Sequence, residues 1–264
     1  METLKEVEQL FFELASESRL SILHMLNKKS LKMTELGKSL DMTSTETFRQ
    51  LQRLSKSSFI SKDVDGFYSL TPFGKLVLFL SPSFEFILRH KQYFLEHDVS
   101  SLPSEFIFRI GELNKGILKT DLSEVVKLIE EMMNNAEDHI WTLTRQVFAT
   151  HARAIEDRFK NGVSFRSLHP KDMIPTEIDY PEFKQYIERR YLPKISQIMV
   201  ITEKEAMLAL PLMDDNLDFA AFFGKGLDFK KWATDLYLHY WKLGVTINKE
   251  INKQEKTQPN KDAD

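Results

Sequence analysis

The chain has 264 residues, and its 36 lysine and arginine residues against 39 acidic residues give a net charge of −3. This length favours two domains, because one domain typically has about 100–200 residues. The charge means that any basic surface must be local. The absence of cysteine excludes disulfides, thiolate catalysis and cysteine metal sites. No apolar run approaches the ~18 residues of a membrane span, and the acidic start does not resemble a signal peptide, so we expect a cytoplasmic protein.

The first sixty residues have the pattern of several short helices. Apolar residues recur at three- and four-residue spacing over residues 3–26, which predicts one or two helices. Thr34 is a suitable N-cap for a short helix that ends near Leu40. Thr43, with Glu46 three residues later, forms a capping-box pattern. It predicts a helix from Ser44 to about Ser57, with Leu51 and Leu54 facing inward.

A β-hairpin is predicted directly after these helices. Phe59 and Ile60 can pack inward, and Asp65-Gly66 is typical of a type I′ turn, which needs a positive φ at both central residues. Residues 67–70 supply the return strand. Thr71-Pro72 then starts another helix, because proline is tolerated at the first helical position.

The next segment, residues 76–120, is predicted to be a helical connector. Residues 73–97 are helical and rich in aromatic side chains, with an interruption at residues 81–83, and residues 103–118 form another helical stretch. Residues 84–97 carry more aromatic side chains than one helix needs for its own core. A symmetric helix pair in a homodimer would use them; the alternative is a core beneath the second domain.

From residue 121 the pattern changes to α/β. The apolar periodicity predicts helices at residues 121–135, 148–160, 182–191 and 228–250, and strands at residues 139–144, 163–168, 197–201, 206–212 and 219–223. Residues 252–264 have too little apolar content to pack and are expected to be disordered. The predicted fold class is therefore α+β: an N-terminal winged helix-turn-helix (1–75), the helical connector (76–120) and a C-terminal α/β domain (121–251).

The segment from Arg19 to Lys62 contains nine basic and three acidic residues, a surplus of six positive charges. A local basic surface is what phosphate contacts require. With its leucines inward, helix 44–57 turns hydrogen-bonding and cationic side chains outward, as a recognition helix in the major groove does. The wing, residues 59–70, would lie on the backbone or minor groove. The candidate DNA-binding residues are Ser44, Thr45, Phe48, Arg49, Gln52, Arg53, Lys56 and Lys62, the last two on phosphates.

These features predict a sequence-specific, double-stranded-DNA-binding transcriptional regulator. The alternative is a winged-helix module that docks on transcription machinery without reading DNA sequence. In that case the basic face would meet an acidic protein. Binding to duplex DNA with a steep salt dependence and a sequence preference would discriminate between the two.

The segment "LASESRLSILHMLNKKSLKMTELGKSLDMTSTETFRQLQRLSKSSFISKDVDGFYSLTPFG" resembles the winged helix-turn-helix of archaeal transcriptional regulators of the ArsR-like type. "FIFRIGELNKG" and "LPLMDDNLDFAAFFGKGLDFKKWATDLYLHYW" resemble archaeal regulators with a methanogen output domain. The final domain is also similar to phospholipase-D-like effector domains of archaeal sugar-responsive regulators. The resemblance implies a homodimer whose C-terminal domain senses an effector or mediates assembly. The metal site of ArsR-type sensors is not carried over, because the recognition helix has no cysteine.

The C-terminal half offers little catalytic pattern. His169-Pro170-Lys171 matches the H-x-K of the phospholipase D motif, but position 176, where the motif needs aspartate, is Thr176. No second copy of the motif is present, so we interpret His169 as a loop histidine and expect no enzyme activity. The sequence contains neither a P-loop nor a nucleophile elbow, and we expect no cofactor and no metal site.

A ligand site in the C-terminal domain is the remaining candidate. Trp141 and Arg145 lie near the end of a predicted strand, where open α/β sheets bind ligands. Arg166 lies within another strand, and a buried arginine needs an anionic partner. That partner is either an acidic residue of the protein or an effector anion. The candidate effector-binding residues are therefore Trp141, Arg145 and Arg166.

Overall fold

The protein is described here by a computed structural model that covers residues 2–145, 158, 160–171 and 187–246. The chain divides into two compact units, Met1–Phe84 and Glu85–Asp264, called the N-terminal unit and the C-terminal unit below. The tail predicted at 252–264, nearly all of the helix predicted at 148–160 and the first half of the helix predicted at 182–191 lie outside the described residues.

The N-terminal unit contains four complete helices and the first part of a fifth. They are α1 (Glu2–Leu14), α2 (Glu17–Lys28), α3 (Met33–Ser39), α4 (Ser44–Lys56) and α5 (Pro72–Arg89). Thr43 is the N-cap of α4, as predicted, and its hydroxyl oxygen accepts a hydrogen bond from the Glu46 amide at 3.2 Å. The prediction for α3 was wrong by two residues: its N-cap is Lys32, whose own amide donates to the Glu35 carboxylate at 2.8 Å.

Three short strands form an antiparallel sheet in this unit. They are β1 (Leu31–Lys32), β2 (Ile60–Lys62) and β3 (Phe67–Leu70), in the order β1-β3-β2. The hairpin turn spans Asp63–Gly66 and is not the predicted type I′ turn, because only Gly66 has a positive φ, of 88°. The Asp63 carboxylate explains the difference, since it accepts hydrogen bonds from the amides of Asp65 and Phe67 and so organises a longer turn.

One apolar core joins these helices and strands. The buried leucines of α4, Leu51 and Leu54, pack there as predicted, together with Phe59 and Ile60, which lie shortly after the helix. The remaining members come from α2, α3, α5 and the sheet: Ile22, Leu23, Leu26, Leu31, Leu36, Tyr68, Leu70 and Leu78. The core therefore fixes which face of α4 points outward.

Helix α5 contradicts the predicted interruption at residues 81–83. It continues through Pro82 to Arg89. Proline removes one backbone donor from a helix and normally bends or ends it. Here apolar side chains on both sides of Pro82, Leu78 and Phe86, are buried in the cores of the two units, and this packing offsets the lost hydrogen bond.

The C-terminal unit begins within α5, so residues 85–120 belong to its core and do not form a connector of their own. They comprise the end of α5, α6 (Lys91–Glu96), α7 (Ser104–Phe108), a 3₁₀ turn (Ile110–Leu113) and β4 (Ile117–Lys119). The single helical stretch predicted at 103–118 is thus wrong beyond Leu113. Its last two residues, Ile117 and Leu118, belong to β4, which pairs with another strand of the sheet and is extended.

Seven strands form one mixed sheet in the order β4-β10-β9-β8-β5-β6-β7. After β4 they are β5 (His139–Leu143), β6 (Ser164–Pro170), β7 (Ile187–Leu192), β8 (Ile198–Thr202), β9 (Ala206–Ala209) and β10 (Ala221–Gly224). Strands β5, β6 and β7 are parallel, and every other pairing is antiparallel. β10 meets β4 with Ala221 opposite Lys119, so a late segment of the chain pairs with an early one.

Helices cover both faces of this sheet. α8 (Leu122–Asn134) buries Val125, Ile129 and Met132 against one face. α9 (Leu227–Leu243) buries Trp232 and Tyr237 against the other, in the same cluster as the segments that precede β4. The predicted helix at 121–135 is confirmed over Leu122–Asn134, and the helix predicted at 228–250 is confirmed as far as Leu243. The prediction was wrong just beyond Leu243, because Val245 forms a β-bridge with Tyr191, and residues 247–250 lie outside the described residues.

The prediction of a helix up to residue 191 was wrong, because residues 187–192 form β7. This strand is the last in the sheet as described, and among the described strands β6 alone pairs along its length. Edge strands often carry charged residues, here Glu188 and Arg189, and these interrupt the alternation of apolar and polar residues by which a strand is recognised in a sequence. The end of β7 is also covered by the segment after α9, where Tyr191 and Val245 exchange two backbone hydrogen bonds of 2.9 and 3.0 Å.

The large aromatic and aliphatic residues at 84–97 divide between a buried and an exposed environment. Phe86 and Tyr93 are buried in the core of the C-terminal unit, as the alternative interpretation of this segment expected. Phe84, Leu88 and Leu95 remain exposed. None of the described helices is both long enough and apolar enough to cross a membrane.

Candidate nucleic-acid interface

Helix α4 has one buried face and one polar, exposed face. Its buried residues, Thr47, Gln50, Leu51 and Leu54, follow the three- and four-residue spacing of a helix. The predicted contact residues on the opposite face are exposed: Ser44, Thr45, Phe48, Arg49, Gln52 and Lys56. Packing of the leucines therefore presents hydroxyl, amide and cationic groups on a single helical surface.

Phe48 lies on this surface and is 53% exposed. The sequence left open whether its ring is half-buried or available to a partner. An exposed aromatic ring beside Arg49 and Gln52 suits an apolar contact such as a thymine methyl group. The polar neighbours suit the hydrogen-bonding edges of bases.

Arg49, Lys56 and Lys62 are the exposed candidate cations of α4 and β2. The structure records no carboxylate within ion-pair distance of Arg49, Lys56 or Lys62 among the described residues. Lys62 lies on β2, and its ammonium nitrogen is 5.6 Å from the centre of the Tyr68 ring. Unpaired cations on a rigid helix and strand favour an anionic partner outside the chain.

Arg53 differs from the other candidates on α4 because the protein itself supplies its partner. Its Nη2 and Nε donate to the two carboxylate oxygens of Glu13 at 2.8 and 3.2 Å, and its guanidinium lies 5.0 Å from the Phe12 ring centre. The Arg53 hydrogen bond is the main reason why the pKa of Glu13 is lowered despite burial. As described, Arg53 does not point freely outward, which differs from its predicted role.

Arg19, which the sequence counted in the basic segment, is buried. Its guanidinium donates to the backbone carbonyls of Glu13 and Phe12 at 2.6 and 2.8 Å and to the Gln50 side chain at 3.1 Å. These bonds join α1, α2 and α4. The exposed basic surface is therefore smaller by one charge than the sequence count.

The tip of the hairpin is acidic. Asp63 and Asp65 are both exposed there, and Val64 between them is fully exposed. Two carboxylates repel phosphate. Any contact between this hairpin and DNA is therefore assigned to Lys62, which precedes the turn.

The three candidate effector residues do not form one site. Arg166 forms an ion pair with Glu188 on the adjacent strand at 2.9 Å and lies between two indole rings, 5.2 Å from Trp141 and 5.3 Å from Trp241. Trp141 also stacks on the buried ring of Tyr237, 5.3 Å away. Of the two partners that the sequence left open for Arg166, the structure supplies the acidic residue.

Arg145 lies elsewhere in the C-terminal unit. It pairs with the carboxylate of Asp215 at 3.2 Å and also donates to the Asp215 carbonyl oxygen. Lys194 reaches the same carboxylate at 3.1 Å. Asp215 has a positive φ of 66°, and these cations hold it in place.

His169 is not a loop residue, as the sequence suggested, because it lies within β6 and is only 5% exposed. Its Nε2 is 2.9 Å from the Ser167 hydroxyl oxygen. Burial, together with the nearby positive charge of Arg189, lowers the pKa of His169 to about 4. The imidazole is thus neutral at pH 7. Thr176 lies outside the described residues.

Metal ligands do not cluster in the part of the chain that the structure describes, where no three histidine, aspartate or glutamate side chains are placed to hold an ion. Glu13 is the important residue that the sequence interpretation missed. It is 3% exposed, although it looks like one more polar residue at the end of an amphipathic helix. The partner that gives it its role, Arg53, lies 40 residues away in the chain, so no local pattern marks it.

Comparisons with known proteins give distant structural likenesses. No protein-family model matches the chain, and no curated protein matches it. The structure is similar to that of TrmBL2, described as an archaeal chromatin protein with a novel mode of DNA binding, with 16% identity, a TM-score of 0.43, and coverage of 88% of this chain and 94% of that one.

Two further likenesses involve about half of this chain. NucT from Helicobacter pylori has 12% identity and a TM-score of 0.42, covering 50% of this chain and 99% of its own. Nuc from Salmonella typhimurium, a phospholipase D family member, has 10% identity and a TM-score of 0.39, covering 51% and 99%. At these TM-scores the likenesses assign no function, so the proposals below depend on the residues of this chain.

Proposed function

We propose that this protein is a sequence-specific DNA-binding transcriptional regulator whose N-terminal unit is a winged helix-turn-helix. In this proposal α3 and α4 are the helix-turn-helix, α4 is the recognition helix in the major groove, and the β2–β3 hairpin is the wing. The observation that carries the proposal is the exposed face of α4, where Arg49 and Lys56 have no acidic partner in the described part of the chain.

The chemistry of that face matches the two requirements of DNA recognition. Arg49 and Gln52 can read base edges, because arginine binds guanine and glutamine binds adenine with paired hydrogen bonds. Lys56 and Lys62 contribute phosphate contacts, which set position and affinity but not sequence. Ser44 and Thr45 lie at the N-terminal end of α4, the part of a recognition helix that contacts bases.

The test begins with selection of genomic fragments by the purified protein at near-physiological salt, followed by titration of one enriched duplex against random DNA. We expect an enriched motif and an affinity that falls steeply with salt. Arg49→Ala should weaken binding to the enriched duplex about tenfold, since one good base contact contributes about 1–3 kcal/mol. Lys127→Ala, a change at an exposed residue of α8, is the control and should leave affinity unchanged.

Equal, weak binding of all DNA would contradict sequence-specific regulation. It would favour the alternative function, a winged-helix module that docks on transcription machinery. The acidic wing tip, Asp63 and Asp65, is the observation that favours this alternative, since it suits a basic protein surface better than a phosphate backbone.

The regulator is proposed to act as a homodimer. Large apolar side chains on α1 and on the first part of α5 are exposed, among them Leu4 at 74% and Phe79 at 80%. Exposed apolar patches of this kind mark association surfaces. Sedimentation equilibrium should give twice the chain mass, and Phe79→Glu should shift the equilibrium toward the monomer; a wild-type monomer at micromolar concentration would contradict this part of the proposal.

The C-terminal unit is proposed to serve assembly or effector sensing and not catalysis. The support is Thr176, which stands where a phospholipase-D-type motif needs aspartate. Purified protein should therefore not hydrolyse bis(p-nitrophenyl) phosphate above background. Turnover that exceeded background and was lost in His169→Ala would show that the unit is an enzyme.

A further inference from the structure

Glu13 holds two arginines at once, and they are bound in different ways. Its carboxylate oxygen Oε2 lies 3.2 Å from Nε of Arg19 and 3.2 Å from Nε of Arg53. Its Oε1 accepts from Nη2 of Arg53 at 2.8 Å and from the Gln9 amide at 2.9 Å. One buried carboxylate therefore faces two cations, which leaves one positive charge in excess.

The two arginines differ in how firmly the protein holds them. The Arg19 side chain is 7% exposed and is fixed by two backbone carbonyls and Gln50. The Arg53 side chain is 38% exposed, and Glu13 is the only hydrogen-bond acceptor recorded for it among the described residues. Arg19 belongs to the core of the network, and Arg53 lies at its edge.

Because of this difference, Arg53 can move away from Glu13 without leaving the buried carboxylate unpaired. Removing the partner of a buried charge is normally costly, because the remaining charge is left without compensation. If Arg53 swings away, Oε2 of Glu13 keeps Arg19 and Oε1 keeps Gln9. The departure therefore breaks the Arg53 ion pair and its contact with the Phe12 ring, while the buried carboxylate keeps a cation and a hydrogen-bond donor.

Arg53 also lies where a second anion would compete for it. It is one helical turn beyond Arg49 and just before Lys56 on α4, the two cations assigned to DNA. A phosphate offers the same paired acceptor geometry that the Glu13 carboxylate supplies. The two anions are chemically equivalent partners for one guanidinium.

We infer that Glu13 is an internal competitor for DNA phosphate: Arg53 rests on Glu13 in the free protein and transfers to a phosphate of the duplex when α4 docks. The inference rests on the proposed DNA binding and deepens it. Arg53 is then a phosphate contact that must first be released, and Glu13 lowers the affinity for every duplex, whatever its sequence. Such a device weakens non-specific binding while leaving base reading to Arg49 and Gln52.

The test is a double-mutant cycle in affinity for a random-sequence duplex, which is adequate because phosphates are the same in all DNA. Glu13→Gln should tighten binding about two- to fivefold, because the neutral amide competes less well for Arg53. In the Arg53→Gln background the same change should have no effect, because the residue for which Glu13 competes is gone. In the Lys56→Gln background the tightening should persist, which makes this variant the matched control.

The salt dependence supplies a second readout. Arg53→Gln should reduce the slope of log affinity against log salt by about one, as the loss of one phosphate contact does. A purely structural role for the Glu13–Arg53 pair predicts the opposite pattern: Glu13→Gln would weaken binding, and Arg53→Gln would leave the slope unchanged. Either of those results overturns the inference.

A measurement on the unmodified protein covers the case in which Glu13→Gln does not fold. The Arg53 Nε–H resonance, assigned by its loss in Arg53→Lys, should shift on saturation with duplex, while that of Arg19 should not. An unchanged Arg53 signal on saturated DNA overturns the inference. If the wild-type protein binds no duplex at all, the proposed function fails first, and this outcome is separate from intact binding without the Glu13 effect.

Discussion

The two units differ in how many of their candidate binding cations are paired with an acidic residue of the chain. In the N-terminal unit, Arg49, Lys56 and Lys62 are exposed and form no ion pair with any residue that the structure describes. In the C-terminal unit, Arg145 and Arg166, which the sequence offered as candidate effector-binding residues, are paired with Asp215 and Glu188. An arginine in a sequence therefore indicates a binding site only when its neighbours in space leave it unpaired.

The largest expected effect is a loss of stability of the C-terminal unit at acidic pH, because its buried His169 resists protonation. The pKa of His169 is lowered to about 4 in the folded protein, whereas an ordinary histidine protonates near 6.5. Between these pH values the unfolded chain binds more protons, so the free energy of unfolding falls as the pH decreases and levels off below about pH 4. The loss should total up to about 3 kcal/mol.

Denaturant titrations of the C-terminal transition between about pH 7 and pH 4 measure this loss. His169→Asn keeps a polar group beside Ser167 but does not titrate, so its stability should depend less on pH over the same window. A wild-type protein whose stability did not change between pH 6.5 and pH 4.5 would show that the buried imidazole is more accessible to protons than its surroundings indicate.

The second prediction tests whether Arg166 is structural. Arg166→Ala should destabilise the C-terminal unit by about 1 kcal/mol, because the guanidinium loses contact with the faces of Trp141 and Trp241 as well as an exposed ion pair. Its affinity for DNA should equal that of the wild type. Thermal unfolding and duplex titration of the same preparation measure both, with Lys127→Ala as the control. A loss of DNA affinity with unchanged stability would mean that this unit also contacts DNA.

The smallest effect concerns the hairpin of the N-terminal unit. Gly66→Ala should cost about 1 kcal/mol of stability, because its φ of 88° is unfavourable for a residue with a Cβ, although no neighbour would clash. Gly226→Ala in the C-terminal unit is the matched control. Gly226 has an ordinary φ of −66° and open space around it, so alanine meets no unfavourable φ there and its change should cost less than that of Gly66. Equal losses for the two variants would contradict the role given to φ.

Local signals in the sequence predicted much of the N-terminal unit. The Thr43 cap, the spacing of Leu51 and Leu54, and the glycine of the hairpin each act within a few residues. They were sufficient to identify α4 and the exposed face that carries Arg49. The same kind of signal located α8 and most of the strands in the C-terminal unit.

Features that depend on distant residues were not predictable in this way. The pairing of Arg53 with Glu13 and of Arg166 with Glu188 joins residues far apart in the chain, and it changed the interpretation of both arginines. The strand at 187–192 was predicted to be helical, because polar side chains at the sheet edge interrupt the alternating pattern of a strand. Pro82 signals a break, but burial of Leu78 and Phe86 on either side outweighs it.

The pairing of β4 with β10 has a consequence for the order of folding. The edge of the sheet that contains Lys119 can form only after Ala221 has been synthesised. Contacts between residues so far apart in the chain slow folding. The hairpin of the N-terminal unit joins segments only a few residues apart, so its contacts can form early. On a ribosome, the proposed DNA-binding unit is therefore expected to be compact while β4 still lacks its neighbour. During that interval the exposed side chain of Ile117 and the open strand edge are where a chaperone or an aggregating chain would bind.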